Sequence, residues 1–418
     1  MKIGVYIPGL GQSFSSESLN KYVERFTNEL KSSNLGVKYT LKIESTPFAE
    51  EKESKLITIY EKQNEENVPI YRFYEFRYID ILVTKFKAWS VLTRNLWLLL
   101  LVLRKFPLII YRVFYRESYS RPWQIIYVFG IFLILSLSVL LLIPATIAFA
   151  RDSFQSEIFL YIKTILKEGI IRDYLNTNPS KIKFLKNVWN EFKSIYGHVI
   201  FPVVNILILA LPNANLLLTS LAAEFVCAND YLEQGRQKQV IQGYLERLID
   251  KISEDNENAE IHFHTYSFGS LVALDFLFPY SSSVSKNTKR FVKGIITIGT
   301  PVEFIEAYYP TFFEDRTPTM ESLITWLNVY SVSDALATNF RNDTQRATAL
   351  FGIKNLQIIP TNINFEVVKV GDYNIWQFLT LVAIKAHSMY WDSDPNGQSC
   401  LREIVSSMEN KGFLKRKE

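Results

Sequence analysis

Cysteine and histidine are scarce in this chain: 418 residues hold two cysteines and four histidines. Cys227 and Cys400 stand far apart and without CxxC spacing, which excludes a disulfide scaffold and a zinc-ribbon arrangement and favours a reducing, cytoplasmic compartment. Sixteen glycines and fifteen prolines, with no internal repeat, exclude collagen-like and low-complexity classes. The formal net charge is only +4. The amino-terminal apolar run from Lys2 to Gly11 is too short for the apolar core of a secretory leader and lacks a small-residue cleavage site. A buried strand that breaks into a loop accounts for it. No motif requires a metal or an organic cofactor.

Apolar surface, by contrast, is plentiful. Hydrophobic residues make up 48% and charged residues 21% of the chain, with a mean hydropathy of +0.05, which is the apolar edge of soluble proteins and excludes disorder. Residues 81–225 carry 16 Lys/Arg against 7 Asp/Glu, an excess of nine, so the rest of the chain is net negative. A basic excess on the most apolar stretch fits a surface that meets anionic lipid headgroups better than one that binds nucleic acid.

Within that stretch, Ile125–Ala150 is uncharged for 26 residues. As a helix it would be about 39 Å long, against a hydrocarbon core of ~30 Å. Trp123, Tyr127 and Arg151 are suitable interface anchors. A buried helix of a large soluble core is the competing reading. Val199–Ala223 is also uncharged but contains Pro202, Asn205, Pro212, Asn213 and Asn215, and reads as a broken or re-entrant helix. Leu96–Tyr115 has Arg104 and Lys105 at its middle. Each would cost roughly 2.5–3.5 kcal/mol at the bilayer centre, so this segment is expected to lie in the membrane interface.

On either side of this region strands alternate with helices. Helical spacing appears around Leu19–Leu30, Gln239–Lys251, Leu271–Phe278 and Asn374–Lys385. Strands are expected at Tyr39–Ile43, Leu56–Tyr60, Val68–Phe73, Ile261–Thr265, Gly294–Ile298, Ser322–Val332 and Leu356–Ile363, with Glu50–Lys55 as a solvated loop. This alternation predicts an α/β fold, a mostly parallel sheet with helices on both faces.

The passage with chemical content is His262-Phe263-His264-Thr265-Tyr266-Ser267-Phe268-Gly269-Ser270. A strand ends, a serine stands at a turn among small residues, and a helix follows. A nucleophile elbow needs this layout, because the turn exposes Oγ and aims the helix N-terminus at developing negative charge. Thr265 stands where the usual Gly-x-Ser-x-Gly pattern has its first glycine, and an ordinary strand–turn–helix is the competing reading.

A serine nucleophile needs a base. His262 and His264 lie in the strand before Ser267 and are expected to be satisfied strand histidines, while His198 belongs to the apolar region. His387 is the one histidine after Ser267, so it is the candidate base, with a lone buried histidine beside Trp391 as the alternative. Asp334 ends the apolar strand Leu327–Val332 at the start of a loop, the end of a parallel strand where catalytic groups collect. Asp315 and Glu321 precede that strand and Asp392 and Asp394 follow the histidine, so they fit less well.

The order Ser267, Asp334, His387 resembles that of α/β-hydrolases of the lipase-like or esterase-like serine hydrolase kind. Ile298-Gly299-Thr300-Pro301 is similar to a turn many lipase-like members carry after the next strand, and Tyr6-Ile7-Pro8-Gly9-Leu10 resembles their His-Gly-x oxyanion loop, with Pro8 in place of histidine. The resemblance implies an oxyanion hole formed by the backbone N–H groups of Leu10 and Phe268. It also implies one hydrolase domain in two parts, residues 1–80 and 226–418, around a helical membrane-associated insertion at 81–225. Both ends of the insertion return to one sheet, so the chain would cross a bilayer an even number of times or not at all.

The expected function is a membrane-associated serine hydrolase that cleaves a carboxylic ester, with an acyl lipid as the expected substrate. An acyltransferase or thioesterase with the same triad, and an inactive membrane-anchored interaction protein, are the alternatives.

Overall fold

A computed structural model describes residues 1–10, 18–63, 66–82, 91–116, 123–130, 133, 225–233, 235, 237–280, 282–340, 353, 356–367, 386–392 and 394–414. These residues fall into two compact units. The first comprises Met1–Trp89, Leu103–Gly130 and Ala223–Glu418 and holds the sheet. Of the second, Ser90–Val102 and Ile131–Ala222, the described residues are chiefly the leucine-rich start of one helix.

The first unit is an α/β structure. Its strands are β1 (Lys2–Ile7), β2 (Tyr39–Ala49), β3 (Lys52–Gln63), β4 (Glu66–Glu75), β5 (Glu260–Tyr266), β6 (Val292–Ile298), β7 (Thr325–Tyr330) and β8 (Thr361–Asn364). They form one sheet in the order β2-β3-β4-β1-β5-β6-β7-β8. From β4 across to β8 every pairing is parallel, while β2, β3 and β4 run antiparallel. Parallel strands covered on both faces become continuous apolar runs. Accordingly Ile3, Val5, Ile7, Ile261, Phe263, Ile295, Ile298, Leu327 and Val329 are all buried.

The described α-helices include α1 (Ser18–Ser33), α2 (Val91–Tyr111), α3 (Lys238–Asp255), α4 (Phe268–Leu277), α5 (Lys286–Phe291), α6 (Val302–Tyr308) and α7 (Leu401–Asn410). Helix α1 buries Leu19, Tyr22, Val23, Phe26 and Leu30 in one cluster with Ile404, Val405 and Met408 of α7, the three-and-four spacing of an amphipathic helix.

Two expectations change. Glu50–Lys55 is no loop, because the turn is confined to Glu50 and Glu51 and strand β3 pairs with β2 from Lys52 onward. Charge density misleads there since these are outer strands, where exposed Lys and Glu are tolerated and discourage edge-to-edge association. Of Leu356–Ile363, only the last residues enter a strand.

Residues 103–130 group with the sheet unit. The charges of α2 explain this. Lys105 is buried, donates to the Tyr308 carbonyl at 3.0 Å, lies 4.0 Å from the Tyr309 ring centroid and pairs with Glu233 at 3.3 Å. Burial lowers the Lys105 pKa, with Glu233 opposing. Arg104 pairs with Glu233 at 2.5 Å and Arg112 with Glu306 at 3.6 Å. Lys105 and Arg112 are thus buried against protein carboxylates, while Arg104 is paired but exposed.

Ile125, Val128 and Phe129 are also buried, and the Phe129 ring stacks on Phe106 at 5.3 Å. The first turns of the 26-residue uncharged run thus pack in the sheet unit. The remainder of that run apart from Leu133, together with Val199–Ala223, His198 and Asn374–Lys385, lies outside the described residues. Among the described residues no helix is long and apolar enough to cross a membrane.

Candidate active site

Strand β5 ends at Tyr266, and Ser267 caps α4 with φ 50° and ψ −125°. A positive φ is strained for a serine and is held only where the surroundings over-determine it. Two backbone bonds do so: Ser267 N–H donates to the Ile298 carbonyl at 2.8 Å, and the Ser267 carbonyl accepts from Ser270 N–H at 3.0 Å.

The small residue at 269 is obligatory. A Cβ on Gly269 would lie 2.3 Å from the Ile7 carbonyl oxygen and 2.5 Å from that of Pro8, so α4 starts hard against the loop after β1. The same loop passes beside the serine, since a Cβ on Gly9 would come within 2.8 Å of Ser267 Cβ. Tyr78 Oη fixes it by donating to the Pro8 carbonyl at 3.0 Å. Thr265, where a glycine is usual, points into the buried side of the sheet: its hydroxyl donates to the Ile296 carbonyl and shares a hydrogen bond with Ser270, both at 2.9 Å.

His387 Nε2 lies 2.7 Å from Ser267 Oγ, and His387 Nδ1 lies 2.8 Å from Asp334 Oδ2. Three residues separated by 67 and 53 positions in the sequence thus form one hydrogen-bonded line. Asp334 follows β7 and is fully buried. Its Oδ1 accepts from Leu336 N–H at 2.9 Å, and its Oδ2 also accepts from Tyr390 Oη at 2.7 Å. His387 sits in a 3-10 turn, Ala386–Ser388, and is partly exposed. Gly299, at φ +57°, makes room for it, because a side chain there would meet the Tyr390 ring at 2.8 Å and His387 Cε1 at 3.2 Å.

Phe268 is the first residue of α4, where a backbone N–H has no partner within the helix. Leu10 follows Gly9 past the serine. The two segments carrying the expected oxyanion donors therefore flank Ser267.

Several site residues carry no signal in the sequence. Tyr266 stacks on His387 with centroids 5.4 Å apart, and its hydroxyl donates to the His387 carbonyl. Trp391 packs on Tyr266 at 5.0 Å and does not bury the histidine alone. Glu366 accepts from the hydroxyls of Ser331 and Ser333, each at 2.9 Å, and from Val332 N–H, tying down the loop that carries Asp334. Tyr266 and Tyr390 adjoin Ser267 and His387 in sequence, but aromatics are too common here to stand out; Glu366 is known only from the fold.

The strand histidines face away from this line. His264 Nδ1 lies 2.8 Å from Tyr22 Oη and His264 Nε2 lies 3.0 Å from Tyr71 Oη, while His262 Nδ1 lies 2.9 Å from Tyr71 Oη. Burial lowers the pKa of His262 to about 3 and that of His264 well below the usual histidine value. Both are neutral structural groups. Cys227 and Cys400 are buried thiols, and among the described residues no group of three or more His, Cys, Asp or Glu could hold a metal ion. No family model, curated protein or solved structure matches the chain.

Proposed function

We propose that this chain is a serine hydrolase of the α/β-hydrolase kind that cleaves a carboxylic ester at a membrane. The observation that carries the reading is the hydrogen-bonded line Ser267–His387–Asp334 with its serine in a strained elbow at a helix start. Ser267 Oγ would attack the ester carbonyl carbon while its proton passes to His387 Nε2, and Asp334 would stabilise the imidazolium. The N–H groups of Phe268 and Leu10 would hold the oxyanion. Collapse breaks the bond to the alcohol, which takes the proton from His387, and water attacking the acyl-enzyme by the same route releases the acid.

A lipid acyl ester is the proposed substrate. In support, Leu103, Phe106, Tyr111, Phe114, Tyr115 and Trp123 of the sheet unit are exposed, a residue set suited to a headgroup boundary. Gln124 Nε2 donates to the Val332 carbonyl at 3.3 Å, two residues from Asp334, and Val332 and Met389, which flank the line, are exposed as well. Apolar surface thus leads up to the site's rim. Anchoring by the uncharged runs would keep the domain at the bilayer.

Reaction with a fluorophosphonate, followed by mapping of the adduct, tests the chemistry, because only an activated serine reacts. The expected adduct is on Ser267. An intact protein that stays unlabelled, or is labelled elsewhere, overturns the reading.

A further inference from the structure

Among the groups around the triad, one hydroxyl has a fixed direction. Tyr390 Oη accepts from Ser331 N–H at 3.1 Å. With that donor occupying the oxygen, the hydroxyl's own proton is directed at Asp334 Oδ2, 2.7 Å away. Oδ2 is also the oxygen that faces His387 Nδ1. It therefore takes two side-chain donors, while Oδ1 is held separately by Leu336 N–H. The Tyr390 ring is 1% exposed and sits in the core cluster beside Gly299, so the phenol cannot swing away.

We propose, building on the triad reading, that Tyr390 is a positioning residue that sets the basicity of His387 by drawing charge from the Asp334 oxygen facing it. A hydrogen bond to a carboxylate stabilises the charged form and shares its electron density. The less charge Oδ2 keeps, the less it holds the imidazolium, and the lower the pKa of the base. Removing the hydroxyl does not release the carboxylate, since the Leu336 bond to Oδ1 remains. The expected result is a more basic His387 in an unmoved site. Among the described residues, titratable groups that face the histidine and its carboxylate include Tyr266, stacked on the imidazole, Tyr390 itself, and Glu366, one hydrogen bond further away through Ser331 and Ser333.

The test is the pH dependence of the fluorophosphonate labelling rate, which needs no knowledge of the natural substrate. In Tyr390→Phe the acidic limb should move up by about half a pH unit or more, with the labelled residue still Ser267. Site-specific 3,5-difluorotyrosine at 390, a stronger donor, should move the limb down, and this second variant keeps the ring should the phenylalanine protein fold poorly. A limb that stays in place in both proteins, or moves in the opposite directions, overturns the role of Tyr390 while the wild-type labelling still stands. Absence of any labelling in the wild type would instead sink the triad reading on which this rests.

Discussion

His264 and His387 are each hydrogen-bonded through both ring nitrogens, yet the two regions that hold them make opposite uses of the same side chain. In the strand interior, His264 lies between Tyr22 and Tyr71, two neutral partners under full burial, and nothing there stabilises an imidazolium. At the carboxyl end of the sheet, His387 lies between a buried carboxylate and a serine hydroxyl and is partly open to solvent. What suits a histidine to act as a base is the charge of its partner and the loop it sits on, and not whether its hydrogen bonds are satisfied.

The sharpest way to break this comparison is to disable the C-terminal region. Ser267→Ala should abolish ester hydrolysis and probe labelling, a loss on the order of 10⁶ in kcat, with the melting temperature unchanged. Retention of more than a trace of activity would remove Ser267 as nucleophile. Asp334→Asn keeps the shape but favours the wrong tautomer of His387, and steady-state kinetics should show a fall of roughly 10⁴; near-normal turnover would mean that the carboxylate is not orienting the base.

The strand region should fail in another way, through stability. His262 and His264 have depressed pKa values when folded, so the unfolded chain binds more protons below its ordinary histidine pKa of about 6.5. Their contribution is complete above pH 6.5 and is lost as pH falls toward about 3, the folded value for His262. Two protons give a slope of at most about 2.7 kcal/mol per pH unit. Denaturant melts at several pH values should be less steep in pH for His262→Gln; equal slopes would show that the strand histidines are not buried neutral.

His264→Leu removes the partner of the Tyr22 hydroxyl, while Tyr71 keeps His262, and should cost about 1–3 kcal/mol in denaturant melts. Probe labelling of the folded fraction should stay within a few-fold of normal, and a loss as large as that of Asp334→Asn would erase the distinction between the two regions.

The smallest effect is spectroscopic and concerns the exposed apolar face. Cys227 and Cys400 are buried, so a fluorophore can be attached selectively at Tyr115→Cys, Trp123→Cys or Leu35→Cys, the last an exposed site in the turn after α1. In vesicles containing anionic lipid, probes at 115 and 123 should be quenched by nitroxide lipids and the probe at 35 should not. Equal quenching at all three sites, or none, would refute docking through this face.

The members of the Ser267–His387–Asp334 line were legible because a triad demands a histidine, and histidine is rare here. With four histidines and one of them after the elbow, elimination led to His387. Asp334 was legible as the aspartate that ends an apolar strand. The supporting groups were not, since Tyr390, Tyr266 and Glu366 are common residues whose roles come from facing Asp334, His387 and the Ser331–Ser333 loop in space. How Arg104 and Lys105 are held was hidden for a related reason: hydropathy records the cost of a charge but not the carboxylate, Glu233, that pairs with both from 128 or more residues away.

By itself, then, the sequence determined what local periodicity and residue scarcity can encode: alternating strands and helices, the strand–serine–helix turn, and the few side chains able to act as base and orienter. Tertiary structure decided the rest. Strand order β4-β1-β5-β6-β7 brings the ends of β5 and β7 to one edge with the loop carrying His387, and the contact of Gly269 with the Ile7 and Pro8 carbonyls brings the β1 loop beside the serine. Such pairings depend on which surfaces exclude water together, and that is a property of the folded chain as a whole.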